Sequence, residues 1–213
     1  MVVRGYLTGV TSTSAWTAYD RGDREFCGNE LPDGMRKNEK FPEPIITPST
    51  KAAKGDHDES VPPSELYKRG VVDPGLYKEL ARISMRLYER GVSRAADQGL
   101  IFVDTKYEFG ISKGKIMLMD EVNTPDSSRY WIAEDYEKRF EKGEEPRKLD
   151  KEYVRTWLAD KGFTGDGKPP KLTDNLRVEA ASRYMEVVEK FTKEPMQLEV
   201  GPVDESILSL IHI

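Results

Sequence analysis

The stretch DTKYEFGISKGKIMLMDEVNTPDSSRYW, residues 104–131, sets Asp104, Lys106 and Glu108 at every second position and returns, after Lys113-Gly114, with Asp120-Glu121. Alternate residues of a strand share a face, so these three stand together while Thr105, Tyr107 and Phe109 turn toward a core. A hairpin over about 100–109 and 115–122 folds the second acidic pair back over the first. The face on which Asp120 emerges depends on the loop. A two-residue Lys113-Gly114 turn sets it away from Glu108, whereas a three-residue Ser112-Lys113-Gly114 loop with left-handed glycine sets both on one face. The three-residue loop is the expectation, with Asp120 beside Lys106 and diagonal to Glu108. Two carboxylates so placed hold a Mg²⁺ through oxygens at about 2.0–2.1 Å, leaving positions for water and phosphate oxygens. The competing reading is a solvated face on which Lys106 neutralises its neighbours. Downstream, NTPDSSR ends in Arg129, and an arginine fork beside hydroxyls suits a phosphate.

The elements that must position these groups are uneven in clarity. Residues 2–8, VVRGYLT, read as a strand closed by Gly9. From about 20 to 65 the chain is rich in Pro, Gly, Asp and Glu, and a long irregular region is expected there. A helix then starts at Asp73 as N-cap and Pro74, carries a core stripe of Leu76, Leu80, Ile83 and Leu87, and stops at Gly91. Two more helices are predicted, one begun by Asp150 and burying Tyr153, Val154, Trp157 and Leu158. The other is begun by Thr173 and buries Leu176, Ala180, Tyr184, Val187, Val188 and Phe191. The sum is an α+β fold: a small antiparallel sheet with helices packed on one side.

Composition narrows the function. The chain has 213 residues, and 33 Lys+Arg against 38 Asp+Glu give a net charge of -5 with no basic run to track a phosphate backbone, so no nucleic-acid partner is expected. No apolar run approaches the roughly 20 residues of a membrane span, and MVVRGYLTG lacks the pattern of a signal peptide; a cytoplasmic chain with no membrane partner is expected. One cysteine, Cys27, and two histidines, His57 and His212, leave no disulfide and no Cys/His zinc cluster. Cys27 reads as a bystander and His57 as a solvated loop residue. Oligomeric state is not legible.

Four motifs in order, VRGYLTG…SAW, TPSTKAAKGDHDE, DTKYEFG and DEVNTPDSSRYW, resemble the SAICAR synthetase (phosphoribosylaminoimidazole-succinocarboxamide synthase) family of purine-pathway ligases over nearly the whole chain. The resemblance implies the C-terminal lobe of a two-lobed, ATP-grasp/kinase-like fold. Residues 1–207 are then the substrate and Mg-ATP lobe, without the β-rich N-terminal lobe that covers the ATP phosphates. On that reading Met1 is internal to a longer protein and the chain is inactive alone. Residues 208–213, LSLIHI, form an apolar tail that spells the translation of a transposase end sequence and are expected to be non-native. The implied activity joins L-aspartate to carboxyaminoimidazole ribonucleotide (CAIR) with ATP and Mg²⁺, through an acyl phosphate. Another phosphotransferase, or a non-catalytic interaction domain, are the alternatives.

Carried over residue by residue, Glu108 and Asp120 match the Mg²⁺ ligands. Lys106 and Asp104 line the nucleotide and substrate pocket as the catalytic pair, and Lys106, Glu108 and Asp120 face the nucleotide. Arg4 and Arg129 match the arginines on the 5′-phosphate, Asp126 contacts the same substrate, and Lys51 is the candidate in the loop STKAAKGDHDE. VTST intervenes between Gly9 and Ser14 where many members read GSAW, so the phosphate-binding hydroxyl is Ser12 or Ser14.

Overall fold

A computed structural model describes residues 1–11, 13–50, 59–163 and 167–196. Ser12, Lys51, His57 and the 208–213 tail, singled out from sequence, lie outside them. The elements run β1 (Val2–Leu7), α1 (Ala15–Asp20), β2 (Glu25–Phe26), β3 (Asn29–Glu30), β4 (Glu39–Thr47), α2 (Pro63–Lys68), α3 (Pro74–Ala96) and β5 (Leu100–Lys106). They continue with β6 (Glu108–Ser112), β7 (Lys115–Met119), β8 (Ser128–Ile132), α4 (Tyr136–Glu141), α5 (Glu152–Asp160) and α6 (Asp174–Thr192). One antiparallel sheet has the order β4-β1-β5-β8, and β2-β3 and β6-β7 are separate ribbons. The α+β class with an antiparallel sheet and packed helices is as expected. Among the described residues no helix is long and apolar enough to cross a membrane.

The alternation of β5 and β8 sorts the core into layers. Phe102, Tyr130 and Ile132 pack with Tyr88 and Ala95 of α3 and Val187 of α6, while their neighbours Val103 and Trp131 pack with Tyr6 and with Tyr136 of α4. Helices therefore cover both faces of the sheet, not one. A third cluster joins Leu7 to Ala15 and Tyr19 of α1 and to Leu31, Met35 and Phe41.

Helix α3 starts as its sequence dictates, with Asp73 Oδ1 accepting from the N–H groups of Gly75 and Leu76 at 2.8 and 3.0 Å. It does not stop at Gly91, nor is the Leu/Ile stripe its deepest face. Ser84, Tyr88, Gly91 and Ala95 are buried instead, and Leu76, Leu80, Ile83 and Leu87 lie half-buried on the flank. Small residues let the helix axis approach the sheet: a Cβ on Gly91 would stand 2.7 Å from Phe102 Cε1. Glycine in mid-helix costs up to about 1 kcal/mol, a cost the close packing offsets.

Strand β4 was hidden by Pro42 and Pro44, which read as breakers. It is tolerated because β4 is an edge strand. Its register to β1 jumps from Arg4↔Ile45 to Tyr6↔Lys40, which leaves 41–44 in the irregular stretch opposite Gly5. Gly5 itself lies under Tyr88, whose hydroxyl donates to the carbonyls of Phe102 (2.9 Å) and Val103 (3.2 Å). A Cβ at Gly5 would fall 2.1 Å from that hydroxyl oxygen. Gly5→Ala is expected to cost about 1–3 kcal/mol in urea denaturation, with Tyr88→Phe in the same chain recovering part of the loss. An unchanged midpoint for Gly5→Ala would show that the sheet absorbs the extra methyl.

Thr173 caps α6 through Leu176 N–H at 3.2 Å, as expected, and Leu176 and Val187 are its buried residues, with Val188 exposed. In α5 the apolar Tyr153, Val154, Trp157 and Leu158 are only half-buried, and the buried residue is Glu152. The helix begins there, with Asp150 two residues before it accepting the Glu152 N–H at 2.7 Å.

Candidate active site

The hairpin register departs from the expectation. Ser112 pairs with Lys115, so the loop is Lys113-Gly114 alone, with φ of 51° and 75° at its two residues. These are the signs of a type I′ turn, whose twist matches the flanking strands, and lysine takes the left-handed position despite its Cβ. Glu108 consequently pairs with Met119, and Asp120 falls one residue beyond β7 at φ 62°. Nor is the first strand continuous. It breaks at fully buried Tyr107, which puts Asp104 in the main sheet and Glu108 in the ribbon. The neighbours of Lys106 across the sheet are Val2 of β1 and, on the β8 side, Ser127, whose carbonyl accepts its N–H at 3.0 Å, rather than Asp120. Lys106 Nζ reaches along its own chain to Glu108 Oε1 at 2.7 Å, the neutralising pair of the competing reading.

Where β1, β5 and β8 run side by side, Arg4 pairs with Asp104 and Asp104 with Arg129 in the ladder. Their side chains converge. Asp104 Oδ2 accepts from Arg129 Nη1 at 2.5 Å and from Arg4 Nη1 at 3.3 Å, and the Arg4 Nε donates to Thr47 Oγ1 at 2.9 Å. Arg129 is held from its other side by Glu152 Oε2, at 3.3 Å from Nε and 3.1 Å from Nη2. Burial pulls Arg4 below its ordinary pKa, partly countered by Asp104, with the charge of Arg129 adding to the fall. For Arg129 burial acts the same way, but Asp104, Glu152 and Asp150 together outweigh it and raise the value. Both guanidinium groups stay charged. Three of the five N–H bonds of Arg129 are spent on carboxylates.

These groups floor a cleft of about 520 Å³ lined also by Thr11, Thr13, Ser14, Lys106 and Asp126. The structure thus brings together Arg4, Asp104, Lys106, Asp126, Arg129 and Ser14 of the expected residues. Asp104, expected as a catalytic group, is 4% exposed and engaged by two arginines, so its place is to fix them. Ser14 caps α1, accepting from Thr17 N–H at 3.3 Å, and its hydroxyl lies 2.9 Å from that of Thr17. Glu108 lines a second, more apolar cleft of about 350 Å³ with Leu76, Leu80, Phe109 and Ile111, and Lys106 borders both clefts.

Sequence reasoning missed Lys151, Glu152 and Arg155, which line the first cleft from the start of α5. Lys151 reaches Asp126 at 3.5 Å and Arg155 reaches Glu152 at 3.6 Å. In the sequence they look like any charged first turn; their one signal was Asp150. That carboxylate is 1% exposed, and burial pushes it up to about 6 against Arg129 and the N–H groups of Glu152 and Tyr130. Half-buried Cys27 has its thiol pushed up to about 11 by burial against the pull of Arg4, so it is protonated at neutral pH.

The motif resemblance implies Mg²⁺ ligands at the hairpin. Among the described residues no group of three His, Cys, Asp or Glu side chains could cage a metal. Asp120 follows Met119, the ladder partner of Glu108, so the two-residue turn sets it off the Glu108 face by alternation, and as Mg²⁺ ligands the pair rests on the motif resemblance.

The family model described as SAICAR synthetase matches residues 1–171. A phosphoribosylaminoimidazole-succinocarboxamide synthase of Bacteroides thetaiotaomicron is 52% identical over 196 residues, which cover 91% of this chain and 61% of that protein. One from Legionella pneumophila is 44% identical over 215 residues, covering 99% and 68%. The SAICAR-synthase of Saccharomyces cerevisiae, solved in complex with SAICAR, superposes with a TM-score of 0.73 at 33% identity, covering 92% of this chain and 60% of that one. A type-2 SAICAR synthetase in complex with ADP gives 0.63 at 25% identity, covering 92% and 64%. The chain spans about three fifths of the length of the Bacteroides relative. With most of its residues matched and the arginines, carboxylates and hydroxyls of its motifs gathered on one cleft, the chain belongs to the SAICAR synthetase family.

Proposed function

We propose that the intact protein is a cytoplasmic ATP-dependent ligase that joins L-aspartate to CAIR, yielding SAICAR, ADP and phosphate. The observation that carries this reading is the position of Lys106, on the border of a polar, arginine-floored cleft and a more apolar one. A cation at such a border suits a group that passes between two bound molecules. The relatives' names, the SAICAR bound to the yeast neighbour and the ADP bound to another support it.

In the first step an oxygen of the CAIR carboxylate attacks the γ-phosphorus of ATP, and the bond to the β-phosphate oxygen breaks to release ADP. The aspartate amine then attacks the acyl carbon, the carbon–oxygen bond to phosphate breaks, and the nitrogen loses a proton as the amide forms. Activation is needed because a carboxylate is a poor electrophile, and transfer between anions needs cationic clamps. Lys106 balances charge at the transfer point, while Arg4 and Arg129, fixed through Asp104 and Glu152, offer the 5′-phosphate a rigid positive floor. Asp126, Lys51 and the hydroxyl of Ser12 or Ser14 complete the substrate contacts. Mg²⁺ held by Glu108 and Asp120 would neutralise phosphate charge during transfer.

The test is product formation from ATP, L-aspartate and CAIR by the intact protein, with Arg129→Lys beside it. This variant keeps the charge and loses the fork, so the KM for CAIR is expected to rise roughly 10- to 100-fold with little change in kcat, because a remote phosphate handle binds ground and transition states alike. No turnover by the wild type sinks the function; a fall in kcat at constant KM sinks the division of labour.

A further inference from the structure

The ligase reading uses only one oxygen of Glu152. This side chain is 3% exposed and lines the cleft from the first residue of α5. Its Oε2 takes Arg129 and stands 3.6 Å from Arg155 Nη1. Its Oε1 is buried and has no hydrogen-bond partner among the described residues. Burial works to raise the Glu152 pKa, but Arg129, Arg155 and Lys148 hold it below the ordinary carboxylate range, so it is ionised at neutral pH and Oε1 can only accept. A buried carboxylate oxygen left unpaired is costly, and such groups in folded proteins call for an explanation. Asp150 braces the backbone, with Oδ1 on the Glu152 N–H at 2.7 Å and Oδ2 on the Tyr130 N–H at 2.9 Å, tying the start of α5 to β8.

We propose that Glu152 Oε1 accepts a hydrogen bond from a neutral donor of the bound ribonucleotide, making Glu152 a specificity-determining residue; this rests on the ligase reading above. The donor is neutral because of what surrounds the acceptor. Arg129 and Arg155 already lie against the carboxylate, so an ammonium, such as that of the amino-acid substrate, would approach two like charges. A hydroxyl or aromatic amine meets no such opposition. On CAIR such donors are the sugar hydroxyls and the ring amine, and both offer the same chemistry to Oε1. A site built to pair a substrate O–H or N–H rejects an analogue lacking it, because the buried partner is then left unpaired.

The test needs no variant to begin. Calorimetric titration of the intact wild-type protein with CAIR and with its 2′-deoxy, 3′-deoxy and des-amino analogues should show one analogue binding roughly 10- to 100-fold more weakly than CAIR, the range for a hydrogen bond to a charged group. Which one identifies the donor. In Glu152→Ala that gap should close to within about twofold, whereas a purely structural role would weaken CAIR and its analogues equally and leave the gap intact. Glu152→Gln, which keeps an oxygen for Arg129 and the side-chain volume, should fold and show a reduced gap, and serves where the alanine variant does not fold. Equal binding of all four ligands by the wild type, or the same gap in wild type and variants, overturns the proposal. Failure of the wild type to bind CAIR at all overturns the ligase reading, and this one with it.

Discussion

Asp120→Ala, or Glu108→Ala, is expected to lower turnover of the intact enzyme by about 10²–10³-fold, the usual effect of removing one group that stabilises developing charge. On the ligase reading each carboxylate would be one of two protein ligands, and a two-ligand Mg²⁺ site would have no spare protein oxygen with which to compensate. Glu108 pairs with Lys106 at 2.7 Å, so a cation held by Glu108 would take over the charge balance that Lys106 provides there. Turnover measured across a Mg²⁺ series should show the variants shifted to higher metal concentration, and chelation should abolish wild-type activity. Wild-type kinetics in Asp120→Ala at low Mg²⁺ would remove the hairpin from the chemistry.

The second large effect is on stability. Asp104→Asn should cost about 3–5 kcal/mol in urea denaturation, since removing one partner of a buried ion pair leaves uncompensated charge in a low-dielectric site. Here the orphaned charge is double, because Arg4 and Arg129, with side chains 10% and 13% exposed, both donate to the same Asp104 oxygen. Glu152 still holds Arg129, but among the described residues Arg4 would keep the neutral Thr47 hydroxyl and the Phe26 ring 5.8 Å away, and no carboxylate hydrogen bond. A loss of less than about 1 kcal/mol would mean that water reaches the arginines and that the cleft floor is not dry.

How much of this was legible depends on whether local chemistry or tertiary contact decides each feature. The starts of α3 and α6 were readable because Asp73 and Thr173 satisfy orphan N–H groups within their own first turns. The extent of α3 was not, because Gly91 marks a packing contact with Phe102 that exists only once the sheet has formed. The hairpin was read in the wrong register because Lys113 takes a left-handed position beside Gly114, which shortens the loop to two residues. At the site, the motif resemblance named Arg4, Asp104 and Arg129, and alternation put Asp104 on a functional face. It could not show that Asp104 serves the arginines rather than a substrate, nor that Glu152, dozens of residues away, closes the same network.

The two prolines of β4 also bear on how the protein behaves in a crowded solution. An open sheet has two rows of unpaired backbone groups that invite strands from other molecules. At one margin Pro42 and Pro44 remove two of the donors such a visitor would need. At the other the chain itself takes the place: Lys148 bridges to Trp131, the Ile132 N–H donates to the Arg147 carbonyl at 3.0 Å, and the Leu149 N–H to that of Tyr130 at 2.9 Å. One margin of the main sheet is thus covered by the chain itself, and the other carries two residues with no N–H to offer a visiting strand.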